Sequence, residues 1–146
     1  MDALSHKTRV AQTIRRALGA HIVDDSGTAP AEVAIYTLSD PRDVRQVRYV
    51  GQTRDPRKRF SQHINTARLW LPDELPWWVA RPRLRPLYQW IRALYRDEGR
   101  LPMMFLVAWT DARQARTAER IHIFEHLGRQ LPLLNQEAQT PQRVLT

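Results

Sequence analysis

Apolar residues along this chain change their period from one stretch to the next, and each change marks an element. In 5–18 (SHKTRVAQTIRRAL), Val10, Ile14 and Leu18 recur every four residues, with Lys7, Arg9, Arg15 and Arg16 mostly elsewhere. That spacing predicts a helix burying one stripe, with Ser5 as its N-cap. Residues 24–30 (DDSGTAP) are turn formers and mark a boundary. The stretch 32–38 (EVAIYTL) is rich in β-forming residues and predicts a strand, which Ser39-Asp40-Pro41 breaks. A second strand follows over 46–51 (QVRYVG), with Val47 and Tyr49 on one face and Arg48 and Val50 on the other. The intervening residues suit a hairpin with a long loop.

Asp55-Pro56 then predicts the start of a helix running to about Leu69, since Asp caps well and Pro fits the first helical position. Residues 70–86 (WLPDELPWWVARPRLRP) are too rich in proline for regular structure. A helix is expected over 87–96, ended near Gly99, and a short buried strand over 103–109 (MMFLVAW). Thr110 or Asp111 caps a last helix through Leu127, ended by Gly128, and 132–135 (PLLN) is a short apolar segment. The resulting fold class is α/β (α+β), with a small three-stranded, mainly antiparallel sheet flanked by helices. The organisation expected is a helical extension over 1–30, a main domain over 31–138 with an insertion at 70–86, and a polar tail over 139–146.

Charge changes the picture more than composition does. The net charge is +8, and 21 of the 23 basic residues are arginine. Genomic base composition raises Arg over Lys, but it does not raise bases over acids. Guanidinium forks match phosphate oxygens, so the excess suits a polyanionic partner, DNA or RNA. With no cysteine there is neither a disulfide framework nor a thiolate metal site. No apolar run is long enough to span a bilayer, and MDALSHKTRV has no apolar signal core. The expectation is a cytoplasmic, intracellular protein without a membrane partner.

Hydrolysis of a phosphodiester needs an activated water, stabilisation of developing negative charge and help for the leaving oxygen. Tyr36 and Tyr49 lie on the two neighbouring strands, and Arg59 and His63 share one helix face a turn apart. Glu119 falls within the last helix, and Asn135 follows it. Any of these alone reads more plainly as strand packing, a solvated helix face or a turn former. That reading does not account for all six in order.

The triplets Ala34-Ile35-Tyr36 and Tyr49-Val50-Gly51, then Gln52-Thr53, Asp55-Pro56, Arg59-Phe60 and Gln62-His63, resemble the GIY-YIG nuclease signature. Glu119 in TAERIHIFEHLG and the trailing Leu133-Leu134-Asn135 are similar to that family's metal-binding helix and asparagine. Ala34 departs from the first glycine, and Gln52 stands where some relatives carry lysine. The resemblance covers about Val33 to Gln136. It implies a divalent-metal-dependent endonuclease acting on DNA, with Mg²⁺ or Mn²⁺ on Glu119. Tyr36 would be general base or water positioner, and Arg59 would bind the scissile phosphate. Tyr49 and His63 would orient water or relay protons, and Asn135 would brace the site. Sequence specificity is then low, or comes from a partner protein or a homodimer.

Nucleic-acid contacts are expected at Gln52, Thr53, Arg54, Arg57 and Lys58 around the first turn of the helix carrying Arg59. Further contacts are expected at Arg68, Arg81, Arg83 and Arg85, interleaved with Trp70, Trp77 and Trp78, where aromatics beside cations can stack bases. The alternative is that these tryptophans cover the sheet. A second alternative to a nuclease is a binding module that keeps the fold without catalysis. His122-Ile123-Phe124-Glu125-His126 also fits H-x-x-E-H, the inverted zinc-protease pattern, though a distal glutamate helix is not evident.

Overall fold

The computed structural model describes residues 3–71, 85–129 and 133–135. Its elements run α1 (Ala3–Ala20), β1 (Ile22–Asp24), β2 (Val33–Asp40), β3 (Asp43–Thr53), α2 (Pro56–Ala67), α3 (Pro86–Glu98), β4 (Met103–Thr110) and α4 (Ala115–Gly128). The sheet has four strands in the order β1-β4-β2-β3. β2 pairs antiparallel with β3 and β4, while β1 runs parallel to β4. The α+β class holds, but the sheet is four-stranded and mixed rather than three-stranded. The added strand is only three residues long and lies just before the turn-forming stretch. It exists because Ile22, Val23 and Asp24 find Met104, Phe105 and Leu106 across the fold, which no local pattern encodes.

β2 is buried from Val33 to Ser39 because it is central and covered on both faces. One face, with Ala34, Tyr36 and Leu38, packs with Val10, Ile14 and Ala17 of α1, Phe60 and Ile64 of α2, and Leu87 and Ile91 of α3. The other face, with Ile35, Val47 and Val50, packs with Ile123 of α4 and Leu133. The stripe expected on α1 is therefore part of the main core.

Two details of the β2–β3 hairpin differ from the expected pattern. The loop is not long: Asp40 pairs with Asp43, so Pro41 and Arg42 alone turn the chain. The Asp40 carboxylate closes this turn by accepting from the Arg42 backbone N–H at 2.9 Å and from its guanidinium. The second difference is a bulge. Leu38 pairs with Tyr49 but Ser39 pairs with Val47, so Arg48 is the extra residue. Simple alternation would put Val47 and Tyr49 on one face. The bulge instead sends Val47 to the α4 side and leaves Tyr49 on the α2 side. Arg48 lies over the Trp90 ring of α3, 5.5 Å from its centroid.

α2 starts as expected, with Asp55 accepting from Lys58 N–H and Pro56 in the first turn. It ends at Arg68, a non-glycine residue at φ 52°. Arg92 of α3 donates to the carbonyls of Ala67, Arg68 and Leu71, a cation on the negative end of the helix dipole. α4 starts at Ala115, later than expected, because Asp111 and Glu32 hold a turn in front of it. Asp111 accepts from Gln114 N–H and Glu32 from Ala112 N–H. No helix among the described residues is long and apolar enough to cross a membrane.

Candidate active site

Tyr36 stands on the central strand and its Cα partner on β3 is Gly51. A Cβ on Gly51 would run into the Tyr36 ring, so only glycine lets that ring lie across β3. Tyr49 is two residues away on the same strand and sits diagonally across from Tyr36, with ring centroids 6.2 Å apart. α2 begins directly after β3 and lies over this face, so Arg59 and His63, one turn apart, both reach the tyrosines. His63 Nε2 lies 2.6 Å from the Tyr36 hydroxyl, and Arg59 Nε–H donates to the same oxygen at 3.3 Å. The His63 ring meets Tyr49 edge-on at 5.3 Å.

Burial sets the electrostatics. Tyr36 and His63 are 0% and 1% exposed. Burial holds the Tyr36 phenol well above its ordinary pKa, with Tyr49 adding to this and Arg59 opposing it. Tyr49 is raised for the same first reason, and there too Arg59 opposes. Burial, then the charge of Arg59, pushes His63 down to about 3. The pair Tyr36–His63 is therefore neutral at neutral pH.

Glu119 sits mid-helix on α4, half-buried. Its charge contributes to the upward shift of both Tyr36 and Tyr49, which places its carboxylate within electrostatic reach of the two phenols. Asn135 is 3% exposed and grips Val50 with both ends of its amide. Its Oδ1 accepts from Val50 N–H at 2.8 Å and its Nδ2 donates to Val50 C=O at 2.6 Å. Leu134 N–H donates to Arg48 C=O beside it. Together these satisfy the outer edge of β3 on either side of Tyr49.

Among the described residues no three His, Cys, Asp or Glu side chains converge as a metal-binding group. Glu119 is the carboxylate whose charge reaches the tyrosines. That fits a hard cation such as Mg²⁺ or Mn²⁺, which keeps water and phosphate oxygens in its shell. His122 and His126 have ring centroids 6.5 Å apart, and His126 Nδ1 bonds the His122 carbonyl of its own helix at 2.6 Å. A zinc site there has no third protein ligand among the described residues.

The basic residues divide by position. Gln52 and Thr53 are half-buried at the end of β3, while Arg54, Arg57 and Lys58 are exposed beside the start of α2. Arg54 pairs with Glu32 at 3.1 Å. Arg68 lies at the other end of α2, about 16 Å along the axis from Arg57, with its guanidinium 6.0 Å from the Trp70 centroid. Arg85 is exposed at the start of α3. Arg81, Arg83, Trp77 and Trp78 lie outside the described residues.

Two residues of the site show their part only in the structure. Gly51 ends the predicted second strand, and its close approach to the Tyr36 ring appears only once the strands pair. Tyr88 of α3 is half-buried with its ring 6.1 Å from His63. Its helical spacing did not separate it from the core positions Leu87 and Ile91. No protein-family model, no curated protein and no solved structure matches this chain. What fold and site define is a class: an α+β protein with a buried tyrosine–histidine pair and a half-buried arginine on a mixed sheet.

Proposed function

We propose that this protein is a metal-dependent endonuclease that hydrolyses phosphodiester bonds in DNA, of the GIY-YIG type its sequence resembles. The observation that carries the reading is that Arg59 and His63 of α2 meet at the Tyr36 phenol oxygen, with the Tyr49 ring packed beside Tyr36 and His63. Arg59 is the cation placed to take a phosphate and to offset the charge that grows on it. Tyr36, kept neutral by burial, acts as a hydroxyl that positions the attacking water. Arg59 and His63 fix its direction. Asn135 acts through Val50, holding the strand that carries Tyr49. A divalent cation on Glu119 would supply Lewis-acid stabilisation of the phosphate and leaving oxygen. Arg54, Arg57, Lys58, Arg68 and Arg85 would meet the backbone of the nucleic acid, with the Trp70–Arg68 pair a stacking platform.

The test incubates the protein with supercoiled, single-stranded and branched DNA, with Mg²⁺ or Mn²⁺ and with EDTA, beside Glu119→Ala. The expected result is metal-dependent cutting that Glu119→Ala loses while it still folds and binds. Full activity in that variant would sink the metal role.

One observation favours a second reading, a non-catalytic nucleic-acid-binding module. The resting cluster holds no strong base, since burial keeps the Tyr36 phenol protonated and makes the His63 imidazole a weak proton acceptor, with its pKa down at about 3. Salt-sensitive binding without metal-dependent cutting of any DNA form would select that reading.

A further inference from the structure

Tyr88 adds a third tyrosine to the cluster, and it comes from an element that supplies none of the six signature residues. His63 is boxed by three phenol rings: Tyr36 at 5.8 Å, Tyr49 at 5.3 Å and Tyr88 at 6.1 Å. Tyr36 is fully buried, and its hydroxyl is already bonded to His63 and Arg59. Tyr88 differs. Its ring packs against the main core cluster, yet the residue is only half-buried. A tyrosine so placed keeps an apolar body inside and its hydroxyl toward water or a ligand. That hydroxyl lies within electrostatic reach of both Tyr49 and Arg59. Neighbouring positions on α3 have other work: Leu87 and Ile91 fill the core, and Arg92 caps α2.

We infer that Tyr88 is a phosphate-binding residue, whose hydroxyl donates to the same backbone phosphate that Arg59 engages. The inference rests on the nuclease reading for the role of Arg59, but its content is a nucleic-acid contact and not a catalytic step. Tyrosine hydroxyls are ordinary partners of phosphate oxygens, and here the hydroxyl adds direction to a site whose charge comes from Arg59.

The test uses the full chain and a fluorescein-labelled 20-mer, single- and double-stranded, titrated in EDTA so that cutting plays no part. Tyr88→Phe keeps the ring and its packing on His63 and removes only the hydroxyl. It is expected to bind about tenfold more weakly, the worth of a hydrogen bond to a charged group, with unchanged thermal midpoint. Its salt slope should stay that of the wild type, because no charge is lost. Arg59→Ala should lower that slope by about one phosphate contact. The double variant should lose less than the sum, because both side chains serve one phosphate. In single-turnover cleavage with Mg²⁺, the half-saturating protein concentration should rise with little change in the limiting rate. Wild-type affinity in Tyr88→Phe, with wild type and Arg59→Ala clearly different, would overturn the Tyr88 contact alone. Absence of DNA binding by the wild type would overturn both this contact and the nuclease reading.

Discussion

Helices α2 and α4 each carry a histidine with a charged or ligating partner four residues before it, and the two fates could hardly differ more. On α2 the pair is Arg59 and His63; on α4 it is His122 and His126. His63 points into the core, meets Tyr36 on the sheet face that α2 covers and is surrounded by aromatic rings. His126 turns back to the carbonyl of His122, so its Nδ1 is spent inside its own helix. α4 leaves Phe124 of the same motif, and Ile121 just before it, more than half exposed. The spacing of a helical pair thus says which residues share a face. It does not say whether that face meets a reactive partner. α2 has one because it follows β3 directly and Arg92 and the Asp55 cap hold its two ends.

The sharpest break of this comparison is on activity. Arg59→Ala should lower metal-dependent cleavage about 10²- to 10³-fold, the usual loss for one charge-stabilising donor, while His122→Ala stays within about twofold. Plasmid cleavage rates of the two variants decide it, and the reverse order would move the chemistry to α4.

Next comes acid stability. The folded pKa of His63 lies at about 3, below its ordinary 6.5. Above pH 6.5 both states are neutral there and the residue contributes nothing. Between 6.5 and about 3 the unfolded chain binds a proton that the folded chain refuses, so stability falls as pH drops through that window. The slope approaches about 1.4 kcal/mol per pH unit. Urea midpoints against pH should show it in the wild type and not in His63→Gln; parallel curves would mean that His63 is reached by solvent.

Gly51→Ala sharpens the packing side. Its Cβ collides with the Tyr36 ring, and the expected cost is about 1–3 kcal/mol, read as a lower denaturant midpoint at unchanged slope. The smallest effect belongs to α4. His126→Gln keeps the volume and loses one hydrogen bond to the helix, about 1 kcal/mol or less, with no change in cleavage.

Much of the frame was legible. Val10 and Ile14 foretold the buried stripe of α1, Asp55-Pro56 the start of α2, and Gly99 the end of α3 at φ 63°. The alternation of β3 misled, because a bulge at Arg48 is a property of the pairing and not of one strand. β1 leaves no mark in the sequence because three residues carry no period. Tyr88 leaves none because one aromatic at helical spacing looks the same whether it faces a core or a site.

By itself the sequence determined which residues can cap, turn or bury, and it set the order of six chemically suited side chains. Those properties are local, arising from backbone sterics, side-chain hydrogen bonds and periodicity. Tertiary structure alone decided that Arg59 and His63 meet at the Tyr36 oxygen with the Tyr49 ring beside them, and that His122 and His126 do not join them. It also decided that burial keeps the central phenol and imidazole neutral. Desolvation and long-range pairing depend on what the rest of the chain brings alongside, and no window of sequence contains that.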